Sequence, residues 1–124
     1  MSVETITSVK NPLVASLRAL KTAKARRETG LFLVEGETML NEALSSGLTP
    51  RALLAEAETP LAARFPEARL VTRGVLEAVC DTKTPQGMCA AFELPPPRAL
   101  SDAPQTLVAL DGVQDPGNVG TIWR

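Results

Sequence analysis

Apolar runs of four or five residues recur along this chain with helix-patterned segments between them, and that alternation limits the folds open to it. Leu31-Phe32-Leu33-Val34 is too short for a helix and stops at Glu35-Gly36, so it reads as a strand buried on both faces. Residues 37–46 follow with Met39, Leu40, Ala43 and Leu44 apolar at helical spacing, and Gly47 suits the residue that closes a helix. The pattern then repeats as a short strand at 52–55, a helix at 60–65, a strand at 69–72, a helix at 74–80 and an apolar strand at 88–94. Strand and helix in alternation predict an α/β fold.

Ahead of the first strand, Asn11-Pro12 opens a helix, because Asn accepts from a free backbone N–H and Pro at the first helical position has none to waste. Leu13, Val14, Leu17 and Leu20 form its apolar stripe, and the helix is expected to end before Gly30. Arg18, Lys21, Lys24 and Arg27 fall on the other face at three-residue spacing, with Arg26 beside them, as a basic ridge about three turns long. Residues 1–30 hold six basic and two acidic side chains, net +4, against −1 for the whole chain. Such a ridge suits backbone phosphates, while no Tyr, three Phe and one Trp leave few rings for base stacking. Binding would be by charge and shape, and the alternative is a solvated helix face.

Composition removes several chemistries. With 124 residues, 44% of them hydrophobic, the chain can bury a core without a staple. The absence of His and the presence of only two cysteines, Cys80 and Cys89, exclude a tetrahedral zinc site and a His-dependent triad, and no metal is expected. The two cysteines are expected as buried free thiols in a reducing compartment. No apolar run approaches the roughly 20 residues that span a bilayer, so no membrane partner is expected and the location is read as cytoplasmic.

Pro95-Pro96-Pro97, with Ser101, Asp102 and Pro104, makes residues 96–105 a stiff linker. Beyond it Leu107-Val108-Ala109-Leu110 reads as another buried strand, running into Asp115-Pro116-Gly117-Asn118-Val119-Gly120 where a helix begins. Glycines at a strand-to-helix turn allow close approach of a ligand, and the free N–H groups favour an anion, although the same residues also make an ordinary tight turn. The segment matches neither a dinucleotide fingerprint nor a P-loop. Arg124 follows Gly120 by about one helical turn and can hold a phosphate or simply be solvated. One strand and half a helix cannot bury themselves, so residues 106–124 are expected to begin a second domain. Glu35, with Glu37 nearby, is either a site carboxylate or part of a helix start, and Gln86-Gly87 is a turn whose side chain can face RNA.

Several separated segments together resemble one family, the SpoU/TrmH-type RNA 2′-O-ribose methyltransferases of the SPOUT superfamily. They are residues 6–14 (ITSVKNPLV), the basic helix ending ARRETG, 31–44 (LFLVEGETMLNEAL), 82–92 (TKTPQGMCAAF) and 110–124 (LDGVQDPGNVGTIWR). The last, with Asn118, Gly120 and Arg124 spaced Asn-x-Gly-x-x-x-Arg, resembles the family's first catalytic-domain motif. The resemblance implies that residues 1–95 form an RNA substrate-binding domain, a three-layer α/β/α sandwich like the ribosomal proteins that bind kinked RNA. Residues 106–124 would be the first strand and turn of a trefoil-knot catalytic domain.

The resemblance further implies methyl transfer from S-adenosylmethionine to a ribose 2′-hydroxyl of rRNA or tRNA, by an enzyme that dimerises through its catalytic domain. Arg124 would contact the target phosphate and help activate the hydroxyl, with Asn118 shaping the site beside it. Arg18, Lys21, Lys24, Arg26 and Arg27 would grip RNA. The cofactor-holding motifs are absent from this sequence, so the 124 residues alone are expected to be inactive. The alternatives are a stand-alone RNA-binding module, and a nucleotide-binding fragment using residues 116–120 as a phosphate loop.

Overall fold

The computed structural model describes residues 4–80, 85–102 and 105–124. Part of the turn expected after Cys80, residues 82–84, and Pro104 of the linker lie outside the described residues.

Asn11 caps α1 (Pro12–Ala19) as its sequence suggests, its Oδ1 accepting from the Leu13 and Val14 N–H groups at 2.9 and 3.4 Å. The expected continuous helix to Gly30 is instead broken, and α2 (Ala23–Thr29) starts afresh. Two local hydrogen-bond systems make the break. The Thr22 hydroxyl donates to the Ala19 carbonyl at 3.1 Å and accepts from the Ala25 N–H at 3.2 Å, which caps α2. The Arg26 guanidinium reaches back to donate to the Leu20 and Lys21 carbonyls at 2.8 and 2.9 Å, occupying the acceptors that the end of α1 leaves open. Gly30, at φ +69°, then closes α2 in the left-handed region.

The remaining elements are β1 (Leu31–Glu35), α3 (Glu37–Ser45), β2 (Pro50–Glu56), α4 (Pro60–Arg64), β3 (Arg69–Val71), α5 (Arg73–Val79), β4 (Met88–Glu93) and α6 (Pro116–Trp123). They make a mixed α/β unit around a four-stranded sheet in the order β1-β4-β2-β3. β4 runs antiparallel to both neighbours while β2 and β3 are parallel, and Ile6 adds a parallel bridge to Val71. The centre of the sheet is therefore the last strand of the unit, which explains why Met88, Cys89, Ala90, Ala91 and Phe92 are all buried.

β1 departs from expectation, because its position at the sheet edge leaves only Val34 fully buried. Its side chains still serve both faces: Leu31 and Leu33 pack into one core and Phe32 into the other. The first core gathers Val14, Leu17 and Leu20 with Val75, Leu76 and Val79 of α5 over Leu54, Val71, Cys89 and Ala91. The second sets Leu40 and Ala43 of α3, with Leu61 and Phe65, against Leu53, Ala55, Met88, Ala90 and Phe92. Helices thus cover both faces of the sheet.

Among the described residues every buried side chain lies between Ile6 and Phe92. The Leu94 N–H donates to the Gly30 carbonyl at 2.7 Å, after which the described residues up to Asp115 are irregular and exposed apart from a 3-10 turn at Leu100–Asp102. The expected buried strand at 107–110 does not form: Leu107, Val108 and Leu110 are 61%, 74% and 44% exposed. Among the described residues no strand lies beside this run, so its backbone has no ladder to join and its side chains no facing layer. The helix expected after it does form, as α6.

Candidate functional site

Two glycine motifs far apart in sequence meet at one end of the sheet. Glu35 pairs with Cys89 across β1 and β4, and the Gly36 N–H donates to the Met88 carbonyl at 3.0 Å. This pairing brings Gln86-Gly87 against Glu35-Gly36. Gly36 has φ +85° and ψ 158°, a backbone region essentially reserved for glycine. A β-carbon there would lie 2.3 Å from Gln86 Oε1, so the Gln86 side chain occupies the space that the missing side chain leaves. Gln86 thus serves this junction in addition to its expected turn.

Beside the junction a cavity of about 350 Å³ opens on the face of the first core, between the α1–α2 turn and β1. Leu20, Leu33 and Val79 supply apolar lining, Cys80 and Cys89 line it as well, and Lys21, Arg26 and Glu35 are its charged residues. Both cysteines are buried free thiols. A hydrogen bond with the Cys80 side chain that favours the protonated form, burial, and the electrostatic influence of Cys80 and Glu35 push the Cys89 thiol well above its ordinary range, so it stays protonated.

The cations of the basic ridge are placed unequally. Arg18 ends α1, Lys21 lies in the turn, and Lys24 and Arg27 sit three residues apart on one face of α2. Arg26 is half-buried and committed to the Leu20 and Lys21 carbonyls just past α1, a positioning task that spacing alone does not signal. Lys24 meets Glu28 at 3.9 Å, but with side chains 79% and 65% exposed the pair contributes little and leaves the ammonium in solvent. Elsewhere Arg51, Arg64 and Arg73 lie against Glu93, Glu37 and Glu77. Residues 18–27 hold five basic side chains and no acidic one.

The tail motif is built on α6. The Asp115 carboxylate accepts from the Gly117 N–H at 2.8 Å, and the Arg124 N–H donates to the Gly120 carbonyl at 3.2 Å. Gly117, Gly120, Thr121 and Arg124 fall on one side of the helix, whereas Asn118, six residues before Arg124, is about 120° away around the axis. Asn118 and Arg124 are exposed and no hydrogen bond joins them. On the opposite side Val119, Ile122 and Trp123 face Val108 and Leu110 around an apolar hollow of about 280 Å³. That hollow offers no polar side chain for a ribose, an amino group or a carboxylate, so the described tail does not fit S-adenosylmethionine. No group of three or more His, Cys, Asp or Glu able to hold a metal ion occurs among the described residues.

Comparison with known proteins agrees with this architecture. Residues 11–90 match the MRM3-like substrate binding domain. The chain is 35% identical over 122 residues to the 23S rRNA (guanosine(2553)-2′-O)-methyltransferase RlmP of Bacillus subtilis (strain 168), covering 96% of this chain and 48% of the relative. Among solved structures, an RNA 2′-O ribose methyltransferase superposes with a TM-score of 0.75 at 28% identity, over 96% of this chain and 50% of the other. An AdoMet-bound rRNA methyltransferase from Sinorhizobium meliloti gives 0.61 at 29% identity, over 74% of this chain and 37% of the other. The chain spans about half the length of the curated relatives it matches. The match from Asn11 through Ala90 spans more than half of the sequence, and the chain belongs to the family of MRM3-like substrate-binding domains, whose relatives here are SpoU/TrmH-type RNA methyltransferases.

Proposed function

We propose that residues 1–95 are the RNA-gripping domain of an S-adenosylmethionine-dependent RNA 2′-O-ribose methyltransferase, joined by residues 96–105 to the opening segment of its catalytic domain at 106–124. The observation that carries this reading is the concentration of cations at residues 18–27 of a unit that belongs to a methyltransferase substrate-binding family. Arg18, Lys21, Lys24 and Arg27 meet RNA phosphates, and Arg26 holds the turn that presents them. Arg124 binds the phosphate of the target nucleotide and Asn118 lines the same site, once the exposed apolar side chains of the tail are covered by the rest of the enzyme. The cofactor supplies the methyl group and is held outside the described residues. The parent acts as a cytoplasmic homodimer on rRNA or tRNA. Among the described residues no helix is long and apolar enough to cross a membrane.

Titrating the chain with single-stranded RNA at several salt concentrations tests the gripping role. Replacing Lys21, Lys24 and Arg27 together by Ala is expected to weaken binding and to flatten the plot of log affinity against log salt by about two, since each phosphate contact contributes about 0.7 to the slope. An unchanged slope would reduce the ridge to a solvated face. With labelled S-adenosylmethionine and total RNA the chain alone is expected to incorporate no methyl above background, and incorporation would refute the assignment of the cofactor site.

A further inference from the structure

Building on the RNA-binding role just given, we propose that the cavity between the α1–α2 turn and β1 receives one unpaired guanine of the bound RNA, with the Glu35 carboxylate accepting from the guanine N1–H and N2 amino groups. The cavity volume of about 350 Å³ is ample for a single base, and half-buried Leu33, with Leu20 and Val79 buried beneath, gives it an apolar side for a flat ring. Its chemistry selects the base. Of the four RNA bases only guanine carries two adjacent donors on its Watson–Crick edge, a pair that matches the two oxygens of a carboxylate. Adenine and cytosine set one amino group beside a ring acceptor, which a carboxylate repels, and uracil flanks its single donor with two carbonyls.

Glu35 is suitably placed, because it lines the cavity, is half-buried, and bears electrostatically on Cys89 within it. A carboxylate offers about four acceptor positions, so a neighbour already bound to Glu35 does not exhaust it. An acidic group facing RNA needs cations around it. Lys21 and Arg26 line the same cavity and Lys24 and Arg27 follow on α2, so the backbone meets positive charge where the base meets Glu35. Arg26, tied to the Leu20 and Lys21 carbonyls, keeps that wall in place.

The test uses the unmodified chain and a fluorescein-labelled oligoadenylate carrying one central guanosine, with inosine, 7-deazaguanosine or adenosine at that place in parallel, read by anisotropy. Guanosine and 7-deazaguanosine, which share both donors, are expected to bind equally. Inosine, which lacks the N2 amine, and adenosine are expected to bind about tenfold more weakly, the discrimination of one good base contact. Glu35→Gln is expected to erase the guanosine preference while RNA binding persists. Equal affinity for all of these RNAs, alongside loss of affinity in the Lys21/Lys24/Arg27 alanine variant, would overturn the guanine pocket and leave the RNA-gripping role standing. No binding to any of the RNAs would overturn both.

Discussion

Replacing Gly36 by Ala probes the junction between the two glycine motifs. Its φ of +85° and ψ of 158° would cost an alanine about 1–3 kcal/mol in backbone strain. The new β-carbon would also lie 2.3 Å from Gln86 Oε1 and 3.1 Å from its Cδ, so Gln86 has to move. Together these place the loss in the upper part of the range, about 2–3 kcal/mol, which for a chain of this size lowers Tm by about 6–12 °C. Gly30→Ala is the internal comparison. Its φ is +69° but a β-carbon there meets nothing within 4 Å, so only the left-handed penalty of about 1 kcal/mol applies. Urea denaturation followed by circular dichroism measures both variants. Adding Gln86→Ala to Gly36→Ala is expected to restore part of the loss, because it removes the collision and leaves the backbone strain. Equal losses at Gly36 and Gly30, or a Gly36→Ala variant within about 0.5 kcal/mol of the native chain, would refute the account.

Removing the Asn11 cap by Asn11→Ala should cost about 1 kcal/mol, read by the same denaturation, because its Oδ1 satisfies the first free N–H groups of α1. Leu54→Ala, at a fully buried position of the first core, should cost about 2–5 kcal/mol, and a loss below about 1 kcal/mol would mean that the sheet centre is misplaced. Because the Cys89 thiol is raised above its ordinary value of 9.0, the folded state keeps a proton that the unfolded chain loses. Its contribution to stability is therefore fully present below about pH 9 and declines as pH rises beyond it, so Cys89→Ser should flatten stability against pH above that point. Trp123, the sole tryptophan, is 87% exposed, so its fluorescence should be that of a water-exposed indole and shift little on unfolding.

Local chemistry made most elements legible. Asn11-Pro12 announces α1, Gly30 the end of α2, and the apolar runs at 31–34, 52–55 and 88–94 the strands, because caps, prolines and period act over a few residues. The basic side chains of 18–27 and the Asn118 to Arg124 spacing were likewise visible, as composition and motif need no partner to be recognised.

Everything that depended on distant partners was decided by the tertiary structure. The last strand became the centre of the sheet and β1 its edge, because hydrogen-bond pairing across the chain sets strand order and period alone does not. Arg26 left the basic ridge to satisfy the end of α1, and Glu35, Lys21 and the two thiols came to share one cavity, since only folding brings residues 20–35 and 79–89 together. The run at 107–110 carries the pattern of a buried strand, yet burial requires a facing layer and a ladder requires a neighbour. A sequence states what a segment can become, and the surfaces around it settle whether it does.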